Sequence, residues 1–237
     1  MPTNLSISIK DFNDFKSACN YFGIEINNNQ LELFKKYYEI LLDWNEKINL
    51  ISRKEQNILE KHFLDSVLFL PEIEKLPIRH LTFDIRHFLD IGSGGGFPGI
   101  PLAIMKPEWK FTLCESIKKK TNFLEHLVKE LNLTNVEIIH ARVETLHVAH
   151  KVSEPRPQSG RATSQKYDFV TARAVARLDV LIKYALPLLK KGGYLLAYKS
   201  KDIDDEIKNV TLPLQILSKE INGVERKLVV LSYPGIL

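Results

Sequence analysis

The sequence predicts a doubly wound α/β fold, a mostly parallel sheet with helices on its faces, preceded by a helical N-terminal extension. Three observations predict it. From residue 85 onward, short apolar runs alternate with helical patterns. A glycine-rich turn joins the first of these strands to the helix after it. Before residue 70 the apolar residues instead recur at helical spacing. The chain has 237 residues, 44% of them hydrophobic and 26% charged, which suffices for a sizeable core and excludes disorder over the whole length.

Residues 1–70 form the extension. Leu31, Phe34, Tyr38, Leu41 and Leu42 fall on one helical face, and Glu32, Lys35, Lys36, Glu39 and Asp43 lie between them as a solvated face. Asn28 or Asn29 is placed to cap that helix. A second helical stretch, Ile58–Leu70, ends at Pro71, and residues 71–84 read as a linker. The α/β domain follows over 85–237. Phe88–Ile91 reads as a strand and Pro98–Met105 as a helix; Trp109–Cys114 as a strand and Lys118–Leu131 as a helix; Val136–His140 and Phe169–Ala172 as strands; Leu178–Leu189 as a helix. Lys190–Gly193 reads as a turn before a strand at Tyr194–Tyr198. Leu214–Leu217 and Lys227–Leu231 flank an Asn222-Gly223 turn signal, so a hairpin closes the sheet. Residues 151–166 hold almost no large apolar side chain and read as a mobile loop inserted between strands.

Composition removes several function classes. The longest apolar run, Tyr194–Tyr198, is far short of the ~18 residues of a membrane helix. The N-terminus lacks the basic start and apolar block of a secretory leader. Cys19 and Cys114 match neither a disulfide framework nor a zinc spacing, which fits a reducing, cytoplasmic setting. His147-x-x-His150 lacks further ligands, so no metal is expected. The formal net charge of +4 is uneven, −2 over residues 1–150 and +6 over 151–237, a distribution compatible with a polyanionic partner.

The most informative stretch is Phe88-Leu89-Asp90-Ile91-Gly92-Ser93-Gly94-Gly95-Gly96-Phe97-Pro98-Gly99. Glycines let a backbone turn sharply and approach a ligand closely. In an open α/β sheet ligands bind beyond the carboxyl ends of the strands, so this turn is a candidate nucleotide or adenosine site. Gly94-x-Gly96-x-x-Gly99 formally matches the dinucleotide fingerprint, although Pro98 and Pro101 crowd the start of a pyrophosphate-binding helix. The other frame is Asp90-x-Gly92-x-Gly94-x-Gly96. A carboxylate before the first glycine suits a cationic ligand such as the sulfonium of S-adenosylmethionine and repels a pyrophosphate. Glu115, at the end of the next strand, suits ribose hydroxyls and serves either cofactor.

Together with this turn, Trp44-Asn45, Asn49-Leu50, His62-x-x-Asp65-Ser66, Gly96-Phe97-Pro98-Gly99-Ile100-Pro101, Ala141-Arg142-Val143-Glu144, Thr171-Ala172-Arg173-Ala174, Ala197-Tyr198-Lys199 and Glu225-Arg226-Lys227-Leu228 form a pattern running from about Trp44 to Val230. The chain resembles the ribosomal RNA small subunit methyltransferase G family, also called glucose-inhibited division protein B. The resemblance implies a class I methyltransferase fold with a seven-stranded sheet, S-adenosylmethionine as cofactor, and methylation of N7 of a guanosine in small-subunit (16S) ribosomal RNA. It places cofactor contacts at Gly92, Phe97, Val143, Glu144 and Arg173, with Glu115 as the ribose acid of such enzymes more generally. Two departures are the insertion at 151–166 and Ala172, where a serine is common.

Guanine N7 carries an in-plane lone pair and no proton, so its methylation needs positioning and desolvation rather than a general base. Arg173 is a candidate positioning residue. Arg177, Lys199 and Arg226, with Lys227, are candidates for RNA phosphate contact. His62 and Asp65 are i,i+3 neighbours suited to structural hydrogen bonding. Cys114 reads as core, and Tyr37-Tyr38 as a candidate base-stacking pair, with Tyr38 tending to the core. The competing classes are a nicotinamide-dependent oxidoreductase and an inactive RNA- or assembly-binding protein.

Overall fold

The first two helices form where an apolar stripe meets a capping side chain. The computed structural model describes residues 7–78, 85–146, 166–199 and 203–234. Helix α1 (Phe12–Tyr21) starts at Asp11, whose carboxylate accepts from the N–H groups of Asn13 and Asp14. Helix α2 (Asn28–Lys47) is capped by Asn27, not by Asn28 or Asn29. The reason is Gln30, which returns a hydrogen bond to the cap and closes a capping box that only Asn27 can complete. Its buried face is Leu31, Phe34, Tyr37 and Leu41, so the stripe runs through Tyr37 rather than Tyr38, and Leu42 is exposed.

A π-helical turn at Leu59–Leu64 runs into α3 (Asp65–Val67), and α4 (Leu70–Glu74) follows. Pro71 opens α4 instead of ending a helix, because in a first turn its missing N–H leaves no bond unmade. The stretch expected as a linker is therefore helical at its start.

Among the described residues seven strands form one sheet in the order β3-β2-β1-β4-β5-β7-β6. They are β1 (His87–Ile91), β2 (Lys110–Glu115), β3 (Val136–His140), β4 (Tyr167–Arg173), β5 (Leu189–Lys199), β6 (Leu214–Ile221) and β7 (Val224–Ser232). The first five run parallel; β7 lies antiparallel between β5 and β6. Helices α5 (Gly99–Met105), α6 (Lys118–Glu130), α7 (Leu178–Ala185) and α8 (Asp204–Ile207) complete the fold. Helix α7 stops before the expected Leu189 because Pro187 cannot donate the next helical hydrogen bond; a 3-10 turn at Leu186–Leu188 replaces it. The expected Lys190–Gly193 turn is absorbed into β5 as a bulge, where the register jumps from Tyr167–Leu189 to Phe169–Tyr194. The β6–β7 hairpin turns at Asn222 (φ 53°) and Gly223 (φ 73°), the geometry of a two-residue turn with both φ positive. Of the insertion expected at 151–166, only Lys166 is among the described residues.

Strand alternation sends Phe88, Phe111 and Phe169 to one face, where the rings stack at 4.5–4.9 Å. Phe15, Phe34 and Phe63 of the N-terminal helices belong to the same core cluster. Leu89, Ile91, Val170 and Leu195 face the other way, onto Leu178 and Leu181 of α7. The N-terminal helices thus share a core with the sheet, which brings residues 37 to 66 to the carboxyl ends of the strands.

Candidate functional site

The order of strands reverses between β1 and β4, and crevices open at such points beyond the carboxyl ends. The glycine turn lies there. Gly92 N–H donates to Cys114 O (2.8 Å), Gly96 N–H to Ser93 O (2.7 Å), and Ser93 Oγ to Asp90 O (3.0 Å). Gly96 has φ +95°, and a Cβ there would sit 2.8 Å from Tyr37 Oη and 2.9 Å from Ile100 Cγ1. Gly92 has φ +65°, and its Cβ would meet Val175 at 2.9 Å. A side chain would be strained at both positions by the positive φ, and at Gly96 the collision with buried Tyr37 adds to the strain. At Gly94 the added Cβ would meet only Gly92 O, at 3.7 Å, so this part of the turn is open to a ligand.

The two carboxylates differ in placement. Asp90 was expected to face a cationic ligand. It is fully buried beneath the turn: its Oδ1 accepts from Thr171 Oγ1 (2.8 Å), and its Oδ2 lies against Gly99. Burial, opposed by the hydrogen bonds from Thr171 and Ser93, pushes its pKa up to about 6. Glu115 is the carboxylate that meets the turn. Its Oε2 accepts from Gly94 N–H (2.9 Å) and its Oε1 from Ile117 N–H (2.8 Å). A turn N–H already held by a carboxylate is poorly suited to a pyrophosphate. Val143 is buried in a 3-10 turn after β3, and Glu144 beside it is exposed, hydrogen-bonded to Tyr184.

Phe97 anchors the turn from the other side. It stacks on Tyr37 (5.3 Å, 23°), tilts against His62 (5.1 Å) and lies under the Arg173 guanidinium (4.9 Å). Tyr37 Oη donates to Gly95 O at 2.5 Å. Tyr37 is completely buried, so it props the turn and offers no surface to RNA bases. Arg173 Nη1 donates to Lys61 O (3.1 Å) and lies 3.5 Å from Asp65 Oδ2; its Nη2 donates to His62 Nδ1 (2.9 Å). Burial and the adjacent Arg173 charge push the His62 pKa down to about 4. Cys114 is buried, and burial pushes its thiol up to about 12, as suits a core residue.

The residues expected at RNA phosphates divide. Arg226 is buried, with Nη2 3.2 Å from Glu60 Oε1 and Nε 3.2 Å from Asp65 Oδ1; its charge is used inside the fold, which argues against the phosphate contact expected of it. Lys199 Nζ is held by Glu206 (2.7 Å) and Ala176 O (3.1 Å), and Lys227 Nζ lies 3.1 Å from Glu225, which likewise occupies them. Arg177 is exposed, with its Nε 3.5 Å from Asp179, and stays available. Sequence reasoning gave no role to Glu60 or to Ala174, whose φ of +56° is rare for a non-glycine residue. The short side chain left no local signal for the latter.

A pocket of about 940 Å³ opens at the carboxyl ends of β4 and β5, lined among others by Glu60, His62, Asp65, Arg173, Tyr198 and Arg226. Arg173 is shared between this pocket and the Phe97 wall of the glycine turn. Among the described residues there is no cluster of His, Cys, Asp and Glu that would hold a metal, and no helix long and apolar enough to cross a membrane.

Comparison with solved structures places this architecture among methyltransferases. An O-methyltransferase from Bacillus cereus in complex with SAH is similar over 94% of this chain and 100% of that one, at 14% identity and a TM-score of 0.55. The METTL16 MTase domain is similar over 94% and 92%, at 18% identity and 0.56. These likenesses establish the class I methyltransferase fold. Sequence comparison is more specific. The family model described as rRNA small subunit methyltransferase G matches residues 30–228. Ribosomal RNA small subunit methyltransferase G of Desulfitobacterium hafniense is 41% identical over 86% of this chain and 77% of its own length. Its counterpart in Lactococcus lactis subsp. cremoris is 39% identical over 92% and 89%. Because the matched span holds the glycine turn, Glu115, Arg173 and the His62–Asp65 pair together, the chain belongs to the rRNA small subunit methyltransferase G family.

Proposed function

We propose that this chain transfers the methyl group of S-adenosylmethionine to N7 of a guanosine in small-subunit (16S) ribosomal RNA, in the cytoplasm where ribosomal subunits are assembled. The observation that carries the reading is the glycine turn closed by Glu115 on one side and by Phe97 and Arg173 on the other, in a chain of this family. The turn fits the cofactor: Gly94 is open where a ligand must approach, and a carboxylate stands beside it. Gly92, Gly94, Glu115, Val143, Glu144 and Arg173 would hold it, with Asp90, Gly96 and Phe97 shaping the turn beneath. The bound cofactor supplies an electrophilic sulfonium methyl.

The protein's own part is positioning. The acceptor N7 already has its lone pair, so no side chain has to remove a proton before the new C–N bond forms. Phe97, Tyr37 and Phe63 keep water from the inner side of the turn. Arg173 is held by donation to Lys61 O and His62 Nδ1, so its guanidinium cannot swing away from Phe97. Arg177 offers an exposed cation for the RNA backbone. The test is tritium transfer from labelled S-adenosylmethionine into ribosomal RNA, followed by mapping of the methylated nucleoside. Label at guanosine N7 supports the reading; RNA binding without transfer supports the inactive assembly-binding alternative.

A further inference from the structure

We propose that the pocket at the ends of β4 and β5 seats the acceptor base, and that His62 reads the 6-oxo group of that purine through its Nε2–H. The inference rests on the methyltransferase reading above and deepens it.

The pocket suits a base rather than a phosphate. Its lining cations are each matched by a carboxylate: Lys61 with Glu55 at 2.9 Å, Arg173 with Asp65 at 3.5 Å, Lys199 with Glu206 at 2.7 Å, and Arg226 with Glu60 at 3.2 Å. A phosphate site would leave positive charge unspent. A compensated wall instead tolerates a neutral ring that becomes cationic on methylation. The pocket shares Arg173 with the wall of the glycine turn, so a base seated in it lies next to the cofactor site.

Within that wall His62 holds a buried ring nitrogen with unspent hydrogen-bonding capacity. A guanidinium has donors and no acceptor, so the 2.9 Å contact from Arg173 Nη2 requires Nδ1 to accept. The neutral ring then carries its proton on Nε2. That nitrogen is shielded from solvent and has no hydrogen-bond partner among the described residues. A buried donor left unmade is costly, and an acceptor recovers that cost once the side chains covering Nε2 part to admit it.

The purine edge that carries N7 also carries position 6. Guanine presents an acceptor there, O6, whereas adenine presents an amino donor. A fixed N–H donor accepts the first and rejects the second. O6 loses electron density as N7 takes the methyl group, so the contact selects and orients the base rather than stabilising the transferred charge. Its loss is therefore expected in KM more than in kcat.

The test places guanosine, inosine or 2-aminopurine riboside at the target position of small-subunit ribosomal RNA and measures kcat and KM for the wild type, His62→Leu and His62→Gln. In parallel, S-adenosylhomocysteine affinity is measured by titration calorimetry. Wild type should use inosine, which keeps the 6-oxo group, nearly as well as guanosine, and should lose about tenfold or more in kcat/KM on 2-aminopurine, which lacks it. His62→Leu should lose a similar factor on guanosine, mainly in KM, and should no longer distinguish the purines. His62→Gln offers both an acceptor to Arg173 and a donor to the pocket, and should recover part of the preference. A His62→Leu enzyme that still discriminates as wild type does would overturn the inference, as would a fall in S-adenosylhomocysteine affinity as large as the fall in kcat/KM. A wild type that transfers no label to guanosine-bearing RNA but binds it would instead overturn the methyltransferase reading.

Discussion

At Gly96 the backbone conformation and the space around it exclude a side chain independently. Its φ of +95° is strained for any L residue, and a Cβ would collide with Tyr37 Oη and Ile100. Gly96→Ala is therefore expected to cost about 1–3 kcal/mol. The loss should appear in denaturant midpoints together with weaker S-adenosylhomocysteine binding. Tyr37→Phe is the milder counterpart. It keeps the stack on Phe97 and removes the hydrogen bond to Gly95 O, leaving a buried carbonyl short of a donor. A destabilisation of about 1–2 kcal/mol is expected by chemical denaturation. Arg173→Ala addresses function more directly. The guanidinium packs over Phe97 and is held by His62 and Lys61 O, at the carboxyl end of β4. The variant should unfold cooperatively, yet transfer methyl far more slowly; normal turnover would remove Arg173 from the site. Of these residues the glycines and Arg173 are visible in the sequence, because the turn and the end of a strand are local features. Tyr37 is not, since nothing near residue 37 announces that its hydroxyl will meet residue 95.

At the scale of elements, the N-terminal helices and the β6–β7 hairpin are clasped by buried ion pairs. Glu60 and Asp65, on consecutive helical turns, both reach Arg226 on β7, and Asn222 of the hairpin turn donates to Glu60. Removing Arg226 leaves Asp65 with Arg173 at 3.5 Å but Glu60 with Asn222 and no paired cation among the described residues. Arg226→Leu should therefore cost about 3–5 kcal/mol in equilibrium unfolding. Because Arg226 is buried and paired with Glu60 and Asp65, a folded conservative variant, Arg226→Lys, should leave the salt dependence of RNA binding unchanged. A shallower salt slope would return Arg226 to the phosphate contacts. The helix boundaries at this scale follow local chemistry once the right partner is seen. Gln30 selects Asn27 as the cap, and Pro187 ends α7. Pro71 and the Lys190–Gly193 bulge read differently from the sequence because proline opens helices as readily as it ends them, and a glycine pair fits a bulge as well as a turn.

For the whole molecule, two buried titratable groups oppose each other in acid. His62 has its folded pKa pushed down to about 4 from an ordinary 6.5, so the unfolded chain takes up its proton first and stability is lost as pH falls from 6.5 toward 4. Asp90 has its folded pKa pushed up to about 6 from 3.8, so the folded chain binds the extra proton and stability is lost as pH rises from 3.8 toward 6. The groups facing His62 include Arg173, Lys61 and Glu55, which His62→Gln leaves in place. Denaturant midpoints at several pH values should therefore show His62→Gln gaining on the wild type as pH drops from 6.5 to 4. Parallel pH profiles for the two proteins would show that His62 titrates normally in the folded state.

By itself the sequence determined the alternation of strands and helices, the glycine turn with its flanking acids, the hairpin at Asn222-Gly223 and the family. Each of these is written in periodicity, in backbone demands or in residue spacing, all of which act over a few positions of the chain. The tertiary structure alone decided which charges are spent and which remain. It buried Asp90 beneath the turn, gave Glu115 to Gly94, consumed Arg226 in an internal clasp and set Tyr37 under the glycines. It also fixed the tautomer of His62 by laying Arg173 against it. Those outcomes depend on which side chains folding brings within hydrogen-bonding distance from distant parts of the chain, 21 positions apart for Gly94 and Glu115 and 58 for Tyr37 and Gly95, and no local pattern encodes such a meeting.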